Sequence, residues 1–76
     1  MNELVDGAID GWPVSVQLIR NPGEPFVTLH TAPYTGQDDE PAPQEIMRKC
    51  MDMPEQAKDR REAMRLLRAT GFEATA

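Results

Sequence analysis

Trp12-Pro13-Val14-Ser15-Val16-Gln17-Leu18-Ile19-Arg20, then Asn21-Pro22-Gly23-Glu24, then Phe26-Val27-Thr28-Leu29-His30-Thr31 is the stretch that decides the fold. In the first run Trp12, Val14, Val16 and Leu18 alternate with Pro13, Ser15, Gln17 and Ile19, the two-residue period of a strand with one buried face. The tetrapeptide after it has proline where a turn wants its fixed φ and glycine where a type II turn needs positive φ. The second run is rich in β-branched and aromatic residues, so the two predict an antiparallel hairpin over residues 12–31.

Upstream, Val5 and Ile9 fall on one side of an extended segment, and Asp10-Gly11 is the preferred dipeptide of a tight hairpin turn, which predicts a first strand. The competing reading is a short helix capped by Asn2 and stopped by Gly11. Downstream, residues 33–43 hold three prolines and the acidic triplet Asp38-Asp39-Glu40, an exposed loop rather than sheet. From Pro43 the period turns helical, with Ile46, Met47, Cys50 and Met51 on one face. Asp52 with Glu55 three residues on reads as a capping box, and Pro54 suits the first turn of a second helix running to about Thr70. Its apolar stripe is Met53, Ala57, Met64 and Leu67, widened by Ala63 and Leu66. Gly71 supplies the left-handed terminator, and Phe72 is placed to fold back on Leu66 or Leu67. The expectation is a single α+β domain: a small antiparallel sheet of two or three strands followed by two C-terminal helices packed on one face. Its parts are a β-rich segment 1–32, the acidic loop 33–43, a helical segment 44–71 and a frayed tail 72–76.

Charge is divided unevenly along the chain. Residues 1–42 carry Glu3, Asp6, Asp10, Glu24, Asp38, Asp39 and Glu40 against Arg20 alone, a formal −6; the remainder holds seven bases and six acids, so the total is −5. That asymmetry bears on partners and not on fold, and a net negative chain is a poor start for binding nucleic acid.

At 76 residues the chain has room for one domain, and a core this small contributes only about 3 to 5 kcal/mol. Cys50 is the only cysteine and His30 the only histidine, so neither an internal disulfide nor a four-ligand zinc site can supplement it; no metal or other cofactor is expected. Self-association into a homodimer is the remaining supplement. The unpaired cysteine is compatible with a reducing compartment, no apolar run approaches membrane-spanning length, and the N-terminus lacks the pattern of a secretory signal, so the expected location is cytoplasmic.

Two surfaces could meet a partner. The acidic one comprises Asp38, Asp39 and Glu40 with Glu24 and the exposed aromatic Tyr34, a candidate anchor. Adjacent carboxylates lack the alternate spacing and glycine of a calcium loop, so they read as a docking or solvated surface. The other is Lys58, Arg61, Arg65 and Arg68, which fall on one side of the second helix and could meet phosphates or serve as a solvated face, with Glu62 as a local partner of Lys58. A Cys50–His30 dyad would need contact, an orienting group and a pocket, and the bland reading is a buried thiol and a packing imidazole.

These residues predict a non-enzymatic protein-binding module, an inhibitor or regulator that occupies a basic surface of its partner, and one that normally holds nucleic acid if the inhibition is competitive. In functional type the chain looks like the small acidic proteins with which phages and other mobile elements block host machinery, the anti-CRISPR proteins among them. The likeness is one of size, charge and absent catalytic residues. The alternative is a nucleic-acid or ribonucleoprotein accessory module using the basic stripe.

Overall fold

A computed structural model describes residues 1–75. The strands are β1 (Asn2–Ile9), β2 (Trp12–Ile19), β3 (Val27–Pro33), β4 (Gln56–Ala57) and β5 (Phe72–Ala74); the helices are α1 (Gln44–Met51) and α2 (Arg60–Ala69). All five strands form one antiparallel, curled sheet in the order β4-β3-β2-β1-β5, with both helices inside the curl. This corrects the expected two or three strands with two C-terminal helices. The added strands are the two short edges, and both come from sequence that reads as helix or as tail.

The central meander follows from local chemistry. Val5 and Ile9 face inward with Val14, Val16 and Leu18, and then with Val27 and Leu29, while the residues between them point outward. Asp10 (φ 50°) and Gly11 (φ 81°) make the two-residue turn that pairs Ile9 with Trp12. At the other end Glu24 N–H donates to the Asn21 carbonyl at 3.1 Å across Gly23 at φ 85°, the residue type that this turn demands.

The helical half departs from expectation at Asp52, which ends α1 instead of opening α2: its N–H donates to the Arg48 carbonyl at 3.0 Å. The capping box belongs to Asp59 and Glu62. Asp59 Oδ1 accepts from Glu62 N–H at 2.8 Å, and Glu62 Oε1 accepts from Lys58 N–H at 3.1 Å. Asp-x-x-Glu occurs twice in the sequence, and β3 decides between the two. Its edge needs main-chain partners, and it takes them from Glu55, whose carbonyl accepts from Leu29 N–H at 2.8 Å, and from Gln56 and Ala57. Met53 and Ala57 are buried as expected, but from an extended segment.

The expected frayed tail, residues 72–76, instead forms β5 with Thr75 N–H donating to the Asp6 carbonyl; Ala76 lies outside the described residues. Thr70 and Gly71 close the helix, and Phe72 enters the sheet opposite Ile9 with its side chain fully buried. Its ring lies over Gly7, where a Cβ would sit 2.5 Å from Phe72 Cζ, so the glycine is what lets β5 approach β1. Ile9, Val14, Val16, Leu18, Val27, Leu67 and Phe72 are the fully enclosed centre, and among the described residues no charged or polar residue is buried with them.

Candidate functional site

The acidic loop is built at the end of the sheet where β1 turns into β2 and β3 ends. Trp12 Nε1–H donates to the Tyr34 carbonyl at 2.8 Å, pinning the chain as it leaves β3. Gly36 N–H then donates to the Glu40 carbonyl at 2.6 Å and Glu40 N–H to the Gln37 carbonyl at 3.0 Å, closing a single 3-10 turn, Gln37–Asp39. Within it Asp38 and Asp39 stand at φ 55° and 58°, the left-handed region that Asp tolerates better than most residues. Both residues are exposed. Glu45, exposed in the first turn of α1, belongs to the same end, since it lines a hollow with Trp12 and Gly11.

Tyr34 crosses the outer face of the sheet and donates its phenol to Asp6 Oδ1 at 2.7 Å; that bond, with desolvation and the carboxylate charge, holds the phenol above its ordinary pKa. The ring remains 44% exposed. Lys49 reaches Asp10 at 2.5 Å, and this bond raises the ammonium pKa while tying α1 to the β1–β2 turn. Asp38, Asp39, Glu40 and Glu45 have no ion-pair partner among the described residues, although Glu45 feels the charge of Lys49, so carboxylates outnumber bases at this acidic pole. Glu24 is not part of it. It lies in the turn at the far end of β2, about 25 Å away by strand length, held by Asn21 Nδ2–H at 2.6 Å.

The basic stripe also exists as a surface. Lys58, Arg61, Arg65 and Arg68 line a shallow hollow of about 350 Å³ along the exposed side of α2. Asp59 and Glu62 share it, but their carboxylates are committed to main-chain N–H groups at the helix cap, and Glu62 takes the Lys58 amide rather than its ammonium. Arg60, outside the stripe, grips Glu3 through two bonds of 2.8 and 2.9 Å, which lowers the Glu3 pKa and raises that of Arg60. Arg20 joins the start of α2 to β2 by donating to the Lys58 carbonyl at 2.8 Å.

A third feature was not visible in the sequence. A cleft of about 430 Å³ opens between the edge of β3 and the end of α1, lined by Thr31, Cys50, Met51, Met53 and Glu55 among others. Thr31 Oγ1 is buried there with no hydrogen-bond partner, a state that costs about 1–3 kcal/mol. Met47 and Met51, expected on the buried side of α1, are 39% and 84% exposed; only Ile46 and Cys50 reach the core. Each methionine directly follows a buried residue, Met47 after Ile46 and Met51 after Cys50, and which member of the pair faces inward has no sequence signal until the helix orientation is known.

Cys50 and His30 both line this cleft, but no hydrogen bond joins them among the described residues: His30 is an exposed residue of β3, whereas Cys50 is buried in the core, where burial pushes the thiol pKa up. Among the described residues no group of histidine, cysteine and carboxylates is arranged to hold a metal ion. No helix is long and apolar enough to cross a membrane. Comparison with known proteins found no matching family model, curated protein or solved structure.

Proposed function

We propose that this protein is a non-enzymatic binding module that sets its acidic pole against a basic surface of a partner protein, and regulates that partner by occupying the surface. The observation that carries the reading is the set of Asp38, Asp39 and Glu40 on a loop closed by its own hydrogen bonds, with Glu45 at the start of α1, beside the half-exposed Tyr34 and its Asp6 partner. A loop already held in shape loses little entropy on docking, and unpaired carboxylates steer a basic partner at long range. Where the occupied surface normally receives nucleic acid, the result is competitive inhibition.

The second reading, a nucleic-acid accessory module, is favoured by one observation: Arg61, Arg65 and Arg68 keep no carboxylate partner along the α2 hollow. Titration of labelled single- and double-stranded oligonucleotides with the full chain separates the two. Acidic docking predicts no binding even at low salt. Micromolar, salt-sensitive binding, lost in the triple variant Arg61→Glu, Arg65→Glu, Arg68→Glu, would transfer the function to α2.

A further inference from the structure

The geometry points to a second docking site, independent of the acidic pole: the cleft beside β3 receives an extended peptide segment by strand addition. The partner is a chain segment with an apolar residue opposite Thr31 and a lysine or arginine beside it.

The register dictates where the vacancy lies. Tyr34 N–H donates to the Pro13 carbonyl, so in β3 the residues Thr28, His30 and Ala32 turn their main-chain groups toward β2. Val27, Leu29, Thr31 and Pro33 turn theirs the other way. On that side Val27 and Thr28 pair with Ala57 and Gln56, and Leu29 N–H goes to Glu55. Continued in register, β4 would place Met53 opposite Thr31. Met53 instead donates its N–H to the Cys50 carbonyl at 3.3 Å, closing α1, and Pro54 carries the chain off the sheet. The main-chain N–H and C=O of Thr31 are therefore left without a strand neighbour, on a line with β4. An unpaired strand edge is a template for another extended chain, and edge addition is a recurring mode of peptide recognition.

The walls define the occupant. A residue pairing with Thr31 points its side chain to the inner face, against Met51, Met53 and Cys50, so an unbranched or branched aliphatic side chain fits. It cannot be proline, because its N–H and C=O are what Thr31 lacks. Glu55 is the only charged residue lining the cleft and has no ion-pair partner among the described residues, so charge complementarity calls for a base on the incoming segment. The edge is open only from Thr31 to Pro33, and α1 overhangs it, which suits a single extended segment and excludes a second copy of this sheet with its flanking strands.

A heptapeptide library displayed on phage, with the selected sequences resynthesised with blocked ends, tests this on the full isotope-labelled chain. The selected peptides should hold an aliphatic residue next to a base, shift the amide signals of residues 29–32 and 51–55, and slow Thr31 amide exchange. Methylating the peptide nitrogen that bonds the Thr31 carbonyl should weaken binding about tenfold, the factor that one lost hydrogen bond is worth. Met51→Lys, at an exposed position, should weaken binding as well, by removing an apolar contact and repelling the incoming base. The proposal is overturned if no peptide is selected, if the shifts map to α2 or to residues 36–40, or if the methylated peptides bind undiminished. Protection of Thr31 in concentrated protein alone, accompanied by dimer formation, would equally overturn it by assigning the edge to a second copy.

Discussion

Gly7 and Tyr34 show how single residues fix the shape of the molecule. Gly7→Ala should force the Phe72 ring and the Glu73 backbone away from β1, an overpacking cost of about 1–3 kcal/mol that a urea melt would register. Alanine tolerated without loss would mean that β5 does not lie across Gly7. Tyr34 is the only tyrosine, so the phenolate absorbance reports on it alone. Because the phenol donates to the Asp6 carboxylate, its titration midpoint should lie above that of an ordinary tyrosine and fall back toward it in Asp6→Asn. The raised folded-state value means that this bond's contribution to stability is fully present below the unfolded pKa and is lost as pH rises through the folded one. Glu3 has the opposite sign. Its lowered pKa beside Arg60 makes the contribution present above the unfolded carboxylate pKa and lost on acidification, and it is small because the pair is exposed to solvent.

At the scale of elements, the two Asp-x-x-Glu sequences make a paired prediction. Asp59→Ala removes the acceptor for Glu62 N–H and should cost about 1 kcal/mol, whereas Asp52→Ala, at the C-terminal end of α1 where a negative charge opposes the helix dipole, should be neutral or slightly stabilising. Equal losses in thermal denaturation would argue for one helix from Asp52 onward. The β1–β2–β3 meander was legible because period-two alternation and the Asp10-Gly11 and Asn21–Glu24 turns are local signals. β4 and β5 were not, because two or three residues carry no period, and each is a strand only by virtue of a distant partner, Val27 and Thr28 for one and Ile9 for the other. The same limit governs the sites. Asp38–Glu40, Tyr34 and the α2 stripe are readable from exposure and spacing, but Glu24's separation from them depends on strand direction. The Thr31 cleft, for its part, depends on where Pro54 leaves the sheet.

On the whole molecule, the carboxylates and bases without ion-pair partners fall in different places, although Lys49–Asp10 and Arg60–Glu3 cross between the two signs. Asp38, Asp39, Glu40 and Glu45 gather at one end, while Arg61, Arg65 and Arg68 line the outer side of α2, and Lys58 sits with Arg20 near the opposite end of β2. If the acidic pole docks on a basic partner as proposed, association should slow as salt rises while dissociation changes little. Reversing the charge of the acidic pole shows whether the partner docks there. The wild-type chain, the triple variant Asp38→Lys, Asp39→Lys, Glu40→Lys and the triple variant Arg61→Glu, Arg65→Glu, Arg68→Glu are each immobilised and exposed to native-host lysate, with captured proteins quantified by mass spectrometry. Docking through the acidic pole predicts that a partner held by the wild type is lost from the lysine variant and retained by the glutamate variant. Retention by the lysine variant with loss from the glutamate variant would contradict it.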